Sequence, residues 1–141
     1  MFSITEGNLM IRTMQIADVS AYIAKFNYSK ELQKRLVLRT KEVLKSQQAD
    51  DPDLNFTVLE NGKIIGGIAT RGFEDVSTDA MVQVDVPNAT DASLEQRVKA
   101  LFLQLVRRDY FYDNIYFVVR NGMGNISGLG RKHQIAGRKV G

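Results

Sequence analysis

The sequence predicts a single α/β domain: a mixed, mainly antiparallel sheet with helices on its faces. Three observations carry this. Asn61-Gly62 separates two β-rich runs, residues 56–60 and 63–70, and Asn-Gly supplies the two positive φ angles of a tight hairpin turn. Residues 93–108 place Leu94, Val98, Leu101, Phe102 and Leu105 at spacings of three and four, the signature of a helix with one buried face. Residues 115–119 (Ile-Tyr-Phe-Val-Val) then form a short apolar run, as expected of a strand in a parallel sheet interior.

The remaining elements follow in order. Residues 10–14 read as a short strand. Asp18 then opens a helix by accepting from an amide of its first turn, and Val19, Tyr22, Ile23 and Phe26 repeat at helical spacing. Ser29 caps a second helix reaching about Gln48, with an apolar stripe of Leu32, Leu36, Val37, Val43 and Leu44 and a basic, solvated opposite side. Asp50, Asp51, Pro52 and Asp53 break the chain before the hairpin. Gly66 and Gly67, inside the second hairpin strand, predict a bulge or a close backbone approach. In residues 80–86, Ala80, Val82, Val84 and Val86 share one face of a strand and Met81, Gln83 and Asp85 the other. Residues 121–141 hold six of the eleven glycines and few large apolar groups, which predicts a weak helix or a mobile tail, dispensable for folding.

Composition narrows the chemistry. The 141 residues are 44% hydrophobic, enough for one real core. With no cysteine and a single histidine, His133, the chain offers neither thiolate chemistry nor a histidine-based metal site. No apolar run approaches the roughly 18 residues of a membrane span, and residues 1–6 lack the basic start and apolar core of a signal peptide, so a cytoplasmic protein is expected. The net charge of +3 is uneven: Arg120, Arg131, Lys132, Arg138 and Lys139 lie beyond residue 119 with no acid among them, leaving the remainder acidic by two charges. The basic balance therefore belongs to the tail and does not mark a nucleic-acid-binding face on the domain. Gly122-x-Gly124 and Gly128-x-Gly130 match neither Gly-x-Gly-x-x-Gly nor a P-loop.

The ordered set of elements, together with particular residues, resembles the GNAT acetyltransferase superfamily. Residues 10–19 (Met-Ile-Arg-Thr-Met-Gln-Ile-Ala-Asp-Val) resemble its usual opening, residues 56–68 its second and third strands around Asn-Gly, and Val84-Asp85-Val86-Pro87 the point where its fourth strand enters the coenzyme loop. The likeness covers about residues 10–120, giving a domain over 1–120 and a Gly-rich basic tail over 121–141. In that tail Asn125, Lys132 and residues 136–141 weakly resemble the family's fourth helix and sixth strand, and a diverged or truncated member without the last two strands is expected. The resemblance implies acetyl-CoA as cofactor, no metal, and attack of an amine on the acetyl thioester. It places the pantetheine arm between two splayed strands, with Val84 and Val86 on one of them, the phosphates over Thr90, Asp91, Ala92, Ser93 and Leu94, and Asn125 as a further contact. Asp85 falls near where family bases sit; Glu60, Glu74 and the hydroxyls of Tyr110, Tyr112 and Tyr116 are further candidates for proton transfer, with packing roles as their alternative.

The sequence departs from the family in having no tyrosine near Arg131 or Lys132, where the resemblance would place the general acid, and more informatively at the phosphate turn. The family turn reads Gln/Arg-x-x-Gly-x-Gly/Ala, whereas residues 90–95 (Thr-Asp-Ala-Ser-Leu-Glu) contain no glycine and add two carboxylates. Ser93 and Gln96 have the spacing of a capping box, with Asp91 and Glu95 complementing the positive helix end. A carboxylate ~5 Å from a phosphate repels it by roughly 3 kcal/mol at an effective dielectric near 20, before salt screening. Weak or absent coenzyme binding is the expectation from these residues. Two function classes stand at this stage: an acetyl-CoA-dependent N-acyltransferase of unknown acceptor, and a catalytically silent GNAT-like binding or assembly module. A sheet that ends at residues 115–119 also predicts an exposed edge through which a homodimer forms.

Overall fold

The computed structural model describes residues 2–47, 53–73, 79–87, 92–121, 123 and 125–135. Its frame is one seven-stranded sheet ordered as in the chain: β1 (Ser3–Glu6), β2 (Leu9–Thr13), β3 (Asn55–Glu60), β4 (Lys63–Gly72), β5 (Asp79–Asp85), β6 (Asn114–Arg120) and β7 (Ile126–Gln134). Every neighbouring pair is antiparallel except β5–β6. That parallel pair needs a crossover, which α3 (Ala92–Asp109) provides. A short 3-10 turn (Ile16–Asp18) leads into α1 (Val19–Ile23), and α2 (Lys30–Ser46) follows.

The hairpin forms as the sequence predicts. Asn61 and Gly62 take φ of 54° and 79°, and β3 and β4 pair from Glu60↔Lys63 to Asn55↔Ala69. The paired glycines act in two ways. Ile65 is an extra residue between the Val58↔Gly66 and Leu59↔Ile64 pairs, so β4 is bulged there. A Cβ on Gly66 would run into the carbonyl oxygen of Asp85, and one on Gly67 would lie 2.7 Å from the Tyr22 ring. Gly67 thus lets an α1 aromatic rest directly on the β4 backbone.

One sheet face packs on α3. Phe56, Val58, Ile68, Val82 and Ile115 meet Val98, Leu101, Phe102 and Leu105, all fully or almost fully buried. The opposite face carries α1 and α2, with a smaller cluster of Met14, Val19 and Ile23. Ser29 caps α2 by accepting from the Leu32 amide, yet no residue of α2 is fully buried. Its stripe closes only against the small cluster, and Leu32 and Val43 stay exposed.

Four details differ from expectation. Residues 3–6 form a strand, turned onto β2 through Gly7 at φ 59°; with Ile4 as its one large apolar residue, its periodicity is too weak to read. Asp18 is buried and reaches back rather than forward: its carboxylate accepts from the Gln15 amide (2.9 Å), the Arg12 guanidinium (2.7 Å) and the Thr57 hydroxyl (3.0 Å). Three donors, one of them charged, satisfy a carboxylate that burial alone would penalise. Ser93 lies inside the first turn of α3, which begins at Ala92, so it does not stand before the helix as a capping residue.

The fourth difference is the largest. Residues 126–134, expected as a weak helix or mobile tail, form β7 along the full length of β6, from Asn114↔Gln134 to Arg120↔Ile126. Backbone pairing overrides poor strand composition here, because β6 offers an open edge and Ile135 beyond it enters the core at 3% exposure. The edge expected on residues 115–119 is therefore covered, and the outer edge passes to β7.

Two outcomes follow. Gly67→Ala displaces Tyr22 and lowers stability by about 1–3 kcal/mol in denaturant melts, while Gly62→Ala, with open space around its Cβ position, costs only the strain of its positive φ. Truncation after Arg120 strips β7 and Ile135 and lowers Tm by about 10 °C or more in calorimetry; an unchanged Tm contradicts this register.

Candidate functional site

The candidate site grows from the β5–β6 ladder, which pairs only four residues, Asp79↔Asn114 to Val82↔Phe117. Both strands continue for three residues more without pairing to each other, so Gln83–Asp85 and Val118–Arg120 diverge. A cleft opens on each side of the sheet at this gap. On the α3 side a cavity of about 480 Å³ is lined by Val84, Glu95, Lys99, Phe117, Arg131 and His133, among others. On the α1/α2 side a cavity of about 510 Å³ is lined by Tyr22, Phe26, Tyr28, Arg71 and Asp85, among others. Gln83 and Arg120 line both cavities. A third, apolar hollow of about 370 Å³ extends the α1/α2 side toward Met81, Val118, Ile126 and Leu129.

Asp85 stands at this junction. Its Oδ1 is 2.5 Å from the Arg120 guanidinium and its Oδ2 accepts from the Gln83 amide at 3.0 Å. The ion pair spans the gap between the diverging strands. Tyr22 lies over Gly67 beside it. Burial, then the negative charge of Asp85, then Tyr28, push its phenol pKa far up, so its hydroxyl remains a proton donor at any physiological pH. Tyr22 stacks edge-on to Phe26 at 5.2 Å, and Phe26 stacks on Tyr28 at 5.5 Å, giving the cavity an aromatic wall.

The α3 side is cationic. Lys99 Nζ sits 3.5 Å from Glu95 Oε2 and 5.5 Å from the Phe117 ring centroid. The His133 ring meets the same Phe117 edge-on at 5.4 Å. Burial first, then Arg131, Arg107 and Lys99, hold the His133 pKa below its usual value.

The other sequence candidates fall as follows. Val84 is buried toward α3 and lines the cleft; Val86 is half-buried just past β5. Ala92 and Ser93 are exposed in the first turn of α3, whereas Leu94 is core. Thr90, Asp91 and Glu74 lie outside the described residues. Asn125 belongs to the β6–β7 turn, where its amide donates to the Asn121 side chain at 3.1 Å and its carbonyl accepts from the Asn121 amide; its helix is replaced by the hairpin. Glu60 ends β3 opposite Lys63. The Tyr110 hydroxyl donates to Asp113, Tyr112 shares a hydrogen bond with Thr70 (2.8 Å), and Tyr116 packs edge-on against Phe73. Packing is thus what these three tyrosines do here. Sequence reasoning missed Tyr22, Lys99, Arg120 and the cleft-facing role of Arg131 and His133; only the Gly66-Gly67 close approach hinted at the first. Among the described residues no three His, Cys, Asp or Glu side chains gather into a metal site, and no helix is long and apolar enough to cross a membrane.

No family model and no curated protein matches the sequence. Solved structures do match the fold. The ribosomal-protein-S5-alanine acetyltransferase of Vibrio fischeri superimposes with a TM-score of 0.60 at 15% identity, over 85% of this chain and 76% of that one. A ribosomal L7/L12 α-N-protein acetyltransferase in complex with coenzyme A gives 0.66 at 8% identity, over 86% and 76%. Mutant forms of the spermidine/spermine N-acetyltransferase of Vibrio cholerae give 0.62 at 17% identity, over 79% and 70%. At these identities the likeness fixes the fold, which is that of the GNAT acetyltransferases, as the sequence resemblance implies.

Tyr112 supplies a test of the packing beneath the site. Burial raises its pKa to about 12 against the opposing hydrogen bond from Thr70, with smaller effects of Asp53 and Arg71. The neutral phenol is therefore favoured by folding, and this contribution is complete below pH 10 and lost as pH rises through about 12. Tyr112→Phe lowers stability at neutral pH by about 1 kcal/mol and flattens the alkaline limb of the stability–pH profile.

Proposed function

We propose that this GNAT-fold chain is an acyl-CoA-dependent N-acyltransferase, with the thioester arm lying in the β5–β6 gap and the amine acceptor entering from the α1/α2 side. The observation that carries this reading is the gap itself: a ladder that stops at Val82↔Phe117, with a cavity on each face. Backbone groups of Gln83–Asp85 on the edge toward β6 take part in no β5–β6 ladder, so they are placed to hydrogen-bond an extended amide arm. The α3-side cleft adds Arg131, with Lys99 paired to Glu95 and Arg120 to Asp85.

A CoA thioester held there supplies the acyl carbon and a thiolate leaving group. The chain's own residues then have defined tasks. Asp85 accepts the proton of the incoming amine: two donors already occupy part of its carboxylate, which has about four acceptor sites. Arg120 orients Asp85 across the gap. Tyr22, held protonated, is the O–H donor on the acceptor side. The aromatic wall of Tyr22, Phe26 and Tyr28 receives the apolar part of the acceptor.

The silent-module reading is favoured by one specific observation: the candidate base is already engaged by a guanidinium, and the adjacent loop sequence lacks glycine. Calorimetric titration with acetyl-CoA separates the two. Saturable one-to-one binding is expected, and no saturation up to about 1 mM sinks the acyltransferase reading. With a reactive amine in hand, Asp85→Asn lowers kcat about a hundredfold while leaving acetyl-CoA binding unchanged. An unaltered kcat removes Asp85 from proton transfer.

A further inference from the structure

The β6–β7 pairing shifts register twice, between Tyr116 and Val118 and between Val119 and Arg120. In an unbroken strand residues 126 and 129 point to opposite faces. Here Ile126 stands opposite Arg120 and Leu129 opposite Val118, so both join the sheet face of those two β6 residues. That face continues onto β5 as Met81, Gln83 and Asp85, and onto β4 as their partners Arg71, Ala69 and Gly67. Ile126 and Leu129 are exposed, at 56% and 42%. With Met81 and Val118 they wall the apolar hollow of about 370 Å³, whose polar side chains are those of Arg71 and Gln83.

Arg71 also lines the neighbouring α1/α2 cavity, where the other charged side chains are Asp85 and Arg120. Those two pair with each other. Arg71 donates to the Thr70 carbonyl at 2.8 Å, and among the described residues no carboxylate forms an ion pair with it. The face thus offers an aspartate at one end of β5 and a cation without a carboxylate partner toward the other. Apolar surface lies to either side, aromatic where Tyr22 rests on β4 and aliphatic toward β7. We propose that the acyl acceptor is an α-amino acid with an apolar side chain. Asp85 takes its amino group, Arg71 takes its carboxylate, and its side chain lies over Met81 and Val118 against Ile126 and Leu129. This assignment rests on the acyltransferase reading for the fate of the amino group; recognition of the amino acid itself does not.

The dimensions agree. Arg71 stands opposite Met81, and Asp85 lies four residues further along β5, about 13 Å away along the strand. The arginine stem covers part of that span. An amino acid held by a hydrogen bond of about 2.8 Å at each end bridges the rest. The guanidinium fork matches a carboxylate, donating two N–H groups to it at once. Charge separates this acceptor from a polyamine. The cavity sets two arginines against one carboxylate, and that carboxylate is already paired. Several ammonium groups would meet net positive charge there, whereas an amino acid brings an anion for Arg71. In the transfer the amino nitrogen bonds to the acyl carbon and the carbon–sulfur bond breaks, its electron pair leaving on sulfur. The proton lost by nitrogen passes to Asp85 and on to water.

The intact chain is titrated calorimetrically with L-leucine, L-phenylalanine, glycine, spermidine and L-leucinamide, which lacks the carboxylate. Release of CoA from acetyl-CoA is then followed with the same amines. Leucine and phenylalanine are expected to bind, and to react with kcat/KM at least about thirtyfold above leucinamide, glycine and spermidine. Arg71→Gln weakens leucine binding about thirtyfold and acts mainly on KM, bringing leucine down toward leucinamide, and Arg71→Lys recovers part of the loss. Leu129→Ala removes about tenfold of the preference for leucine over glycine. Circular dichroism checks that each variant folds. If leucinamide or spermidine reacts as fast as leucine and Arg71→Gln changes nothing, the amino-acid assignment is overturned and the acyltransferase reading stands. If leucine binds in an Arg71-dependent way but no CoA is released, the assignment stands and the acyltransferase reading falls. If leucine and phenylalanine neither bind nor react, the assignment is overturned, and the acetyl-CoA titration decides the acyltransferase reading by itself.

Discussion

The one parallel contact in the sheet sets the architecture of everything around it. β5 and β6 pair over four residues and then part, and the parting has visible causes. The α3 crossover holds their starts together through Val82, Phe102 and Ile115. Beyond Val82 the partner on the far side takes over: β7 follows β6 with register shifts after Tyr116 and after Val119. Bulges increase local twist and bend the strand pair that carries them, so the shifts coincide with the point at which β6 leaves β5. A continuous ladder here would close the gap between the two strand ends.

The two faces of the gap are chemically unlike, and each inherits its character from a local backbone feature. The α1/α2 face is aromatic because Gly67 lets Tyr22 lie on β4, and because α1 is held down by the buried Asp18 that joins β2, β3 and the turn before α1. The α3 face carries Lys99 together with Arg131 and His133, which β7 brings to that side past its register shift between the Tyr116↔Lys132 and Val118↔Leu129 pairs. Asp85 and Arg120 form the only ion pair among the described residues that crosses the gap. At 2.5 Å with partly buried side chains it is stronger than a typical surface pair, and it ties the strand ends that the bulges drive apart.

Most of the fold was legible because its signals are local. The Asn-Gly turn, the Ser29 cap, the α3 stripe and the apolar run of β6 each lie within a short window, and each forms as read. What escaped depends on partners distant in sequence. β1 has one large apolar residue and exists through its ladder with β2. β7 is glycine-rich and basic, and it is a strand because β6 presents an edge. Of the site, Asp85 and Val84 were placed by strand alternation alone. Tyr22 and Arg120 reach Asp85 from other elements, and Arg131 and His133 reach the cleft through a break in alternation. No periodic reading of a single segment predicts a bulge that reverses its own parity.

One of the two carboxylates expected near the phosphates, Glu95, has a partner in the structure. Read along the chain, residues 90–95 present two carboxylates where phosphates are expected, a repulsion of roughly 3 kcal/mol for each close one. In space, Glu95 is met by Lys99 at 3.5 Å and Arg131 lines the same cleft, while Asp91 lies outside the described residues. A paired carboxylate projects little net field beyond about a Debye length of 8–10 Å. The absence of glycine in the loop removes one means of holding an anion, backbone approach, and leaves a second, convergent side chains, in place.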